Sequence, residues 1–221
     1  MQLRLISFEI CPFVQRSIIT LRHKGAEFSL ELIDLENPPA WFLKVSPLGK
    51  VPALEVDGKT WLFESAVINE FLDEITEPCL MPADALERAR HRAWIAFGSE
   101  CIFSQYDLMT AKTQEDFERH LAVITRQLQQ LEDQLGDGPY FAGSTLSLVD
   151  AAIAPLLMRY QLMNEWHLLY EADEYPKLAA WTQSLLARDD VTKSVPDDFP
   201  AQLRAYLIKQ GGYGPDTFTQ P

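Results

Sequence analysis

In the stretch EICPFVQRS, Cys11 stands directly before Pro12, where a short apolar strand reads into an amphipathic helix. A thiol at a helix N-terminus faces unpaired backbone N–H groups and the positive end of the helix dipole, and both favour the thiolate and lower its pKa. The competing reading is packing, since free cysteine is among the most buried residue types. Val14 occupies the place where a redox pair would carry its second cysteine. Chemistry at Cys11 therefore needs a thiol partner from outside the chain.

Two further points downstream share the character of strand and helix junctions. Val51-Pro52 opens a strand, where proline is tolerated as a strand start or with a cis bond. A cis bond would turn the Val51 N–H and C=O outward to pair with an extended peptide. Glu64-Ser65 sits where a strand passes into a helix, so Ser65 and the nearby N–H groups could hold a carboxylate while Glu64 holds an ammonium. The plainer alternative for Ser65 is an N-cap. Together the three points would accept a ligand with a thiol at one end, a peptide bond in the middle and an amino acid group at the other, which describes glutathione.

The elements that must position these residues are legible from pattern. LRLISF at 3–8 and FSLELIDL at 28–35 alternate as strands, with a helix between them that begins at Pro12 and ends at Gly25 in a left-handed conformation. A crossover helix between two strands implies that they pair in parallel. A short helix lies between Pro39 and Pro47, and VPALEV and TWLF form a hairpin around Asp57-Gly58. A helix over 65–74 closes this α/β segment. TEPCLMPADA is aperiodic and reads as a linker. Helical periodicity then predicts helices over 84–110, 113–135, 147–165 and 175–187, the third opened by a capping pattern of Ser147 and Asp150. The expected division is residues 1–76, a linker over 77–84, an all-helical unit over 85–210, and a loosely held tail over 211–221.

The first 80 residues resemble the soluble glutathione transferases, most closely the cysteine-type omega class. The resemblance rests on CPF at 11–13, WF at 41–42, PLGKVPAL at 47–54, ES at 64–65 and FLDE at 71–74. In the helical part it rests on FAGSTLSLVDAAIAP at 141–155. It implies a thioredoxin-like α/β N-terminal domain with an all-α C-terminal domain, and a homodimer. It also implies Cys11 as the catalytic residue, with Phe13, Lys50, Val51, Pro52, Glu64 and Ser65 binding glutathione. One departure is Pro38, which stands where omega-class proteins usually offer a lysine to the glycine carboxylate of glutathione, leaving Lys44 or Lys50 to compensate. The second substrate is expected against the first long helix of the helical domain, with Trp94, Phe97, Cys101, Phe103 and Tyr106 as candidates.

With a cysteine in this place, the family resemblance implies a glutathione-dependent thiol transferase or reductase acting on glutathione mixed disulfides, with dehydroascorbate-like substrates in range and weak conjugating activity. The alternative on the same fold is a non-catalytic regulatory protein. The NPP and LMP stretches at 37–39 and 80–82 resemble stringent starvation protein A, which binds RNA polymerase but by that resemblance lacks the thiol.

Composition narrows the partners. With 19 Lys and Arg against 32 Asp and Glu the net charge is -13, and no basic block interrupts it, which argues against nucleic acid and anionic membrane surfaces. The most apolar run, AAIAPLLM, is far shorter than the roughly 20 residues needed to span a bilayer. Three cysteines without metal-ligand spacing argue against a disulfide framework and a zinc site, so a cytoplasmic, metal-free protein is expected. Cys79, in the linker, has no activating neighbour in the sequence. His23, His91, His120 and His167 are scattered, which disfavours a Cys-His hydrolase.

Overall fold

The computed structural model describes residues 1–219. Its first part is a four-stranded mixed sheet in the order β2-β1-β3-β4, formed by β1 (Leu3–Ser7), β2 (Ser29–Leu32), β3 (Ala53–Val56) and β4 (Thr60–Phe63). β1 pairs in parallel with β2 and antiparallel with β3, and β3 pairs antiparallel with β4. Helix α1 (Pro12–His23) makes the crossover, α2 (Phe42–Val45) is a single turn, and α3 (Ser65–Glu74) follows β4. Gly25, at φ 61°, ends α1 as its position predicts, with the Ala26 N–H donating to the Leu21 carbonyl at 3.0 Å. Asp57 and Gly58, both at positive φ, form the two-residue hairpin turn. Strand β2 is shorter than the alternation at 28–35 suggests, because only four of its residues find partners on β1.

The rest is helical: α4 (Ala85–Met109), α5 (Gln114–Gln134), α6 (Leu148–Trp166), α7 (Pro176–Leu186), α8 (Asp189–Thr192), α9 (Phe199–Gln210) and α10 (Tyr213–Thr219). Helix α6 is the axis of this half, buried along most of its length. It is pinned at its start by Asp150, whose carboxylate reaches back to accept from the Ser147 N–H at 2.7 Å. Among the described residues no helix is long and apolar enough to cross a membrane.

The expected loose tail is corrected. Residues 213–219 form α10, with Gly214, Pro215 and Phe218 buried. Glycine and proline signal a chain end by composition, but here they permit a close approach. The Gly214 N–H donates to the Ala111 carbonyl at 2.8 Å, and a Cβ at Gly214 would lie 2.5 Å from the Leu108 carbonyl oxygen. Residues 220–221, also part of that expectation, lie outside the described residues.

Helix α1 joins the two halves. Its sheet-facing side carries Val14 and Leu21, while Ile19 packs into the helical core. At its end His23 Nδ1 lies 2.9 Å from Asp190 Oδ2, and Arg188 Nη2 donates to the same oxygen at 2.6 Å. Burial works against the Asp190 carboxylate, yet its bonds to His23 and Arg188 hold it well below the usual carboxylate range. The unfolded chain therefore takes up this proton first, at about pH 4, so the stabilisation is present above that pH and is lost as pH falls further. Asp190→Asn is expected to lower the thermal midpoint at neutral pH and to flatten its acid dependence below about pH 4.

Candidate active site

Cys11 is the N-cap of α1, with φ -69° and ψ 116°. Pro12 begins the helix, where its missing N–H leaves no bond unmade. The Gln15 N–H donates to the Cys11 carbonyl at 3.1 Å, closing the first turn. The thiol does not have the lowered pKa that helix position alone predicts. Cys11 is 7% exposed, and burial pushes its thiol up; the Val14 and Phe13 N–H groups and the Arg159 and Arg16 guanidiniums oppose that shift without reversing it. Desolvation outweighs the field of the helix end because the residue sits under the domain junction.

The other predicted residues come together beside it. Phe13, Lys50, Val51, Pro52, Glu64 and Ser65 line one cavity of about 150 Å³, closed from the helical side by Ser99 and Phe103 of α4. The Val51-Pro52 bond is cis, and neither the N–H nor the C=O of Val51 has a backbone partner among the described residues. Ser46 holds this turn: its hydroxyl donates to the Lys50 carbonyl at 2.8 Å and accepts from the Lys50 N–H at 3.0 Å. Lys50, not Lys44, reaches this cavity. Glu64 has φ 70° at the start of α3, a left-handed conformation that a non-glycine residue holds only when its surroundings fix it, and such residues cluster at binding sites. Arg16 runs beneath, its Nη1 donating to Ser99 Oγ at 2.8 Å and reaching Ser65 Oγ at 3.5 Å.

Cys11 itself opens into a second, larger cleft of about 1330 Å³ between β2 and α1 on one side and α8 and α9 on the other. Ile18, Leu30 and Leu32 form its apolar wall; its charged lining mixes Arg22, Arg188 and Lys193 with Glu9, Asp189 and Asp190. Most of the expected second-substrate residues are not here. Trp94 and Phe97 line a separate depression with Gln130 and Asp133 of α5. Cys101 is fully buried, and burial pushes its thiol up to about 12. Phe103 does belong to the site, its ring 5.3 Å from that of Phe13. Tyr106, one turn further and 41% exposed, meets Tyr206 of α9 through their hydroxyls at 3.0 Å. The aromatic residues of α4 thus divide between two faces. Helical period separates 94, 97 and 101 from 99, 103 and 106.

Sequence reasoning missed Gln15, Arg16, Ser46, Ser99 and Arg159. Arg159 had a readable signal: it is the one charge in AAIAPLLMRYQLM. Among the described residues no group of three or more His, Cys, Asp or Glu could hold a metal ion.

Two family models match the chain, the glutathione S-transferase N-terminal domain over residues 10–75 and the glutathione S-transferase C-terminal domain over residues 114–184. Glutathione S-transferase omega-1 of Rattus norvegicus is 30% identical over 197 residues, covering 87% of this chain and 80% of the rat protein. The chain belongs to the glutathione S-transferase family. Its fold is accordingly the transferase fold, a thioredoxin-like mixed-sheet domain followed by a helical one. Among solved structures, glutathione transferase Omega 3C from Trametes versicolor superposes with a TM-score of 0.79 at 32% identity, covering 89% of this chain and 90% of that one. Rice GST1 in complex with glutathione superposes with a TM-score of 0.82 at 29% identity, covering 95% and 96%. Omega-class transferases thus stand among its relatives, alongside members of other classes.

Proposed function

We propose that this transferase-family protein is a glutathione-dependent thiol transferase acting through Cys11. The observation that carries the reading is a lone thiol at the start of α1, two residues before Phe13 and in the same apolar cluster as Val51, where Phe13 and Val51 line a cavity with Glu64 and Ser65. Glutathione suits that cavity. Its cysteinyl backbone would pair with Val51, its γ-glutamyl group would meet Glu64 and Ser65, and Lys50 would receive its glycine carboxylate in place of the lysine absent at Pro38. The rice relative solved with glutathione supports the ligand.

The Cys11 thiolate attacks the glutathionyl sulfur of a mixed disulfide, forming the Cys11–glutathione bond as the original S–S bond breaks. The leaving thiol departs with the electron pair and takes a proton. A second glutathione thiolate then attacks the intermediate, oxidised glutathione leaves, and the Cys11 thiolate is restored. Val14 supplies no resolving thiol, Cys101 is buried in the core and Cys79 lies in the linker, so the cycle is monothiol. The carrier of the disulfide approaches through the cleft beside Cys11, and dehydroascorbate-like substrates are within range. Three unpaired cysteines, one of them exposed, fit a reducing cytoplasm, and a homodimer is the assembly we propose from the family.

Turnover of the mixed disulfide of glutathione and 2-mercaptoethanol tests the reading, with parallel double-reciprocal lines expected for the two half-reactions. Ser65→Ala is expected to raise KM for glutathione about tenfold with kcat nearly unchanged, as loss of one charge-assisted hydrogen bond predicts. An unchanged KM would remove Ser65 from the site.

A further inference from the structure

Two arginines are buried at the junction of the two halves, and neither has a carboxylate partner. Arg16 and Arg159 are 1% and 2% exposed, and no ion pair involves either among the described residues. An uncompensated buried cation destabilises a fold, so its presence calls for a counter-charge. The two point in different directions. Arg16 turns toward Ser65, Ser99 and the Ala152 carbonyl, under the smaller cavity. Arg159 rises from α6 into the floor of the larger cleft, where Cys11 lies. Its Nη2 donates to the Ile10 carbonyl at 2.8 Å, immediately before Cys11, and its Nη1 donates to Gln15 Oε1 at 2.7 Å and the Pro155 carbonyl at 2.8 Å. Phe199 of α9 covers the guanidinium face at 4.9 Å.

We propose that Arg159 is the positioning residue of the nucleophile: it fixes the Ile10–Cys11 turn and supplies positive charge to the Cys11 thiolate from the α6 side, alongside the buried Arg16 of α1. The inference rests on the reading of Cys11 as the nucleophile. With its Nη atoms already engaged and its surface closed by Phe199, Arg159 has little to offer a substrate directly; its charge acts through Cys11. The other charges of the cleft do not compete. Arg188 and His23 meet Asp190, Lys193 meets Asp189, and Glu9 and Arg22 are exposed to solvent. Burial lowers the Arg159 pKa to about 10, which still leaves it charged at neutral pH, and the thiolate of Cys11 is what favours that charge. The coupling is reciprocal: the arginine holds the thiolate, and the thiolate holds the arginine's proton.

The pH dependence of Cys11 alkylation by iodoacetamide tests this without glutathione. A Cys79→Ser background removes the exposed thiol that would compete. Arg159→Met is expected to move the midpoint up by about one unit, so the rate at pH 7 falls about tenfold while the plateau at high pH is kept. Arg159→Lys, which retains the charge, should stay within about half a unit of the parent. Gln15→Glu offers a second route that preserves side-chain size. Its carboxylate would neutralise Arg159 across the 2.7 Å contact, at the loss of the amide donation to Ser194 Oγ at 3.0 Å, and it should raise the Cys11 midpoint. If Arg159→Met does not fold, Gln15→Glu decides. Unchanged midpoints in the folded variants, or a lowered plateau at an unchanged midpoint, would overturn the inference and leave Arg159 a purely structural residue. An Arg159-dependent midpoint in a protein without mixed-disulfide turnover would uphold the inference and sink the thiol transferase reading.

Discussion

Cys11→Ser is expected to abolish turnover of a glutathione mixed disulfide, a loss of about a thousandfold or more, since a serine hydroxyl is not a nucleophile toward sulfur at neutral pH. Neither remaining cysteine can substitute. Cys101 is fully buried with its thiol pushed up to about 12, and Cys79 lies between α3 and α4 beside Glu77, whose charge, with that of Asp73, pushes its thiol up. The substitution changes one atom at an N-cap position where serine is well suited, so the fold should be retained or slightly stabilised. Glutathione should still bind, because the cavity formed by Val51, Glu64 and Ser65 does not depend on the thiol. A binding constant near the parent's together with lost turnover would separate catalysis from recognition.

Asp150→Ala is expected to be the most damaging substitution for the fold, at about 3–5 kcal/mol in urea unfolding. Asp150 is fully buried and collects four donors: the Phe141 N–H at 2.9 Å, the Trp181 indole N–H at 2.7 Å, the Ser147 N–H at 2.7 Å and the Ser147 hydroxyl at 2.6 Å. Alanine would leave buried donors without partners and open a void against Trp181. Asp150→Asn keeps one acceptor for Phe141 and Trp181 but turns an amide donor toward the Ser147 N–H, and should fall between alanine and the parent. The consequence reaches the site through α6. Arg159 lies nine residues further along the same helix, so a frayed start loosens the floor beneath Cys11.

What could be read from sequence was local. Cys11-Pro12, Val51-Pro52 and Glu64-Ser65 each mark a strand or helix end, and turn chemistry depends on a few adjacent residues. Six predicted glutathione-binding residues consequently come to one cavity. The hairpin turn and the Ser147–Asp150 cap were legible for the same reason. What depended on distant packing was not. The direction of the Cys11 shift turned on burial under α6, which no neighbour in sequence announces. Gly211, Gly212 and Gly214 read as a fraying end, yet Gly212 and Gly214 let α10 lie against the end of α4 and the residues that follow it. Trp94 and Phe103 have the same chemical character and differ only in the face of one helix, which is decided by what α5 and α1 bring to each side.

The central claim is that Cys11 forms a disulfide with glutathione. Intact mass after incubation with oxidised glutathione, followed by peptide mapping, tests it most directly. The account predicts one glutathione adduct, of about 305 Da, located at Cys11, released by reduced glutathione and absent from Cys11→Ser. An adduct confined to Cys79, or no adduct while mixed-disulfide turnover persists, would contradict it.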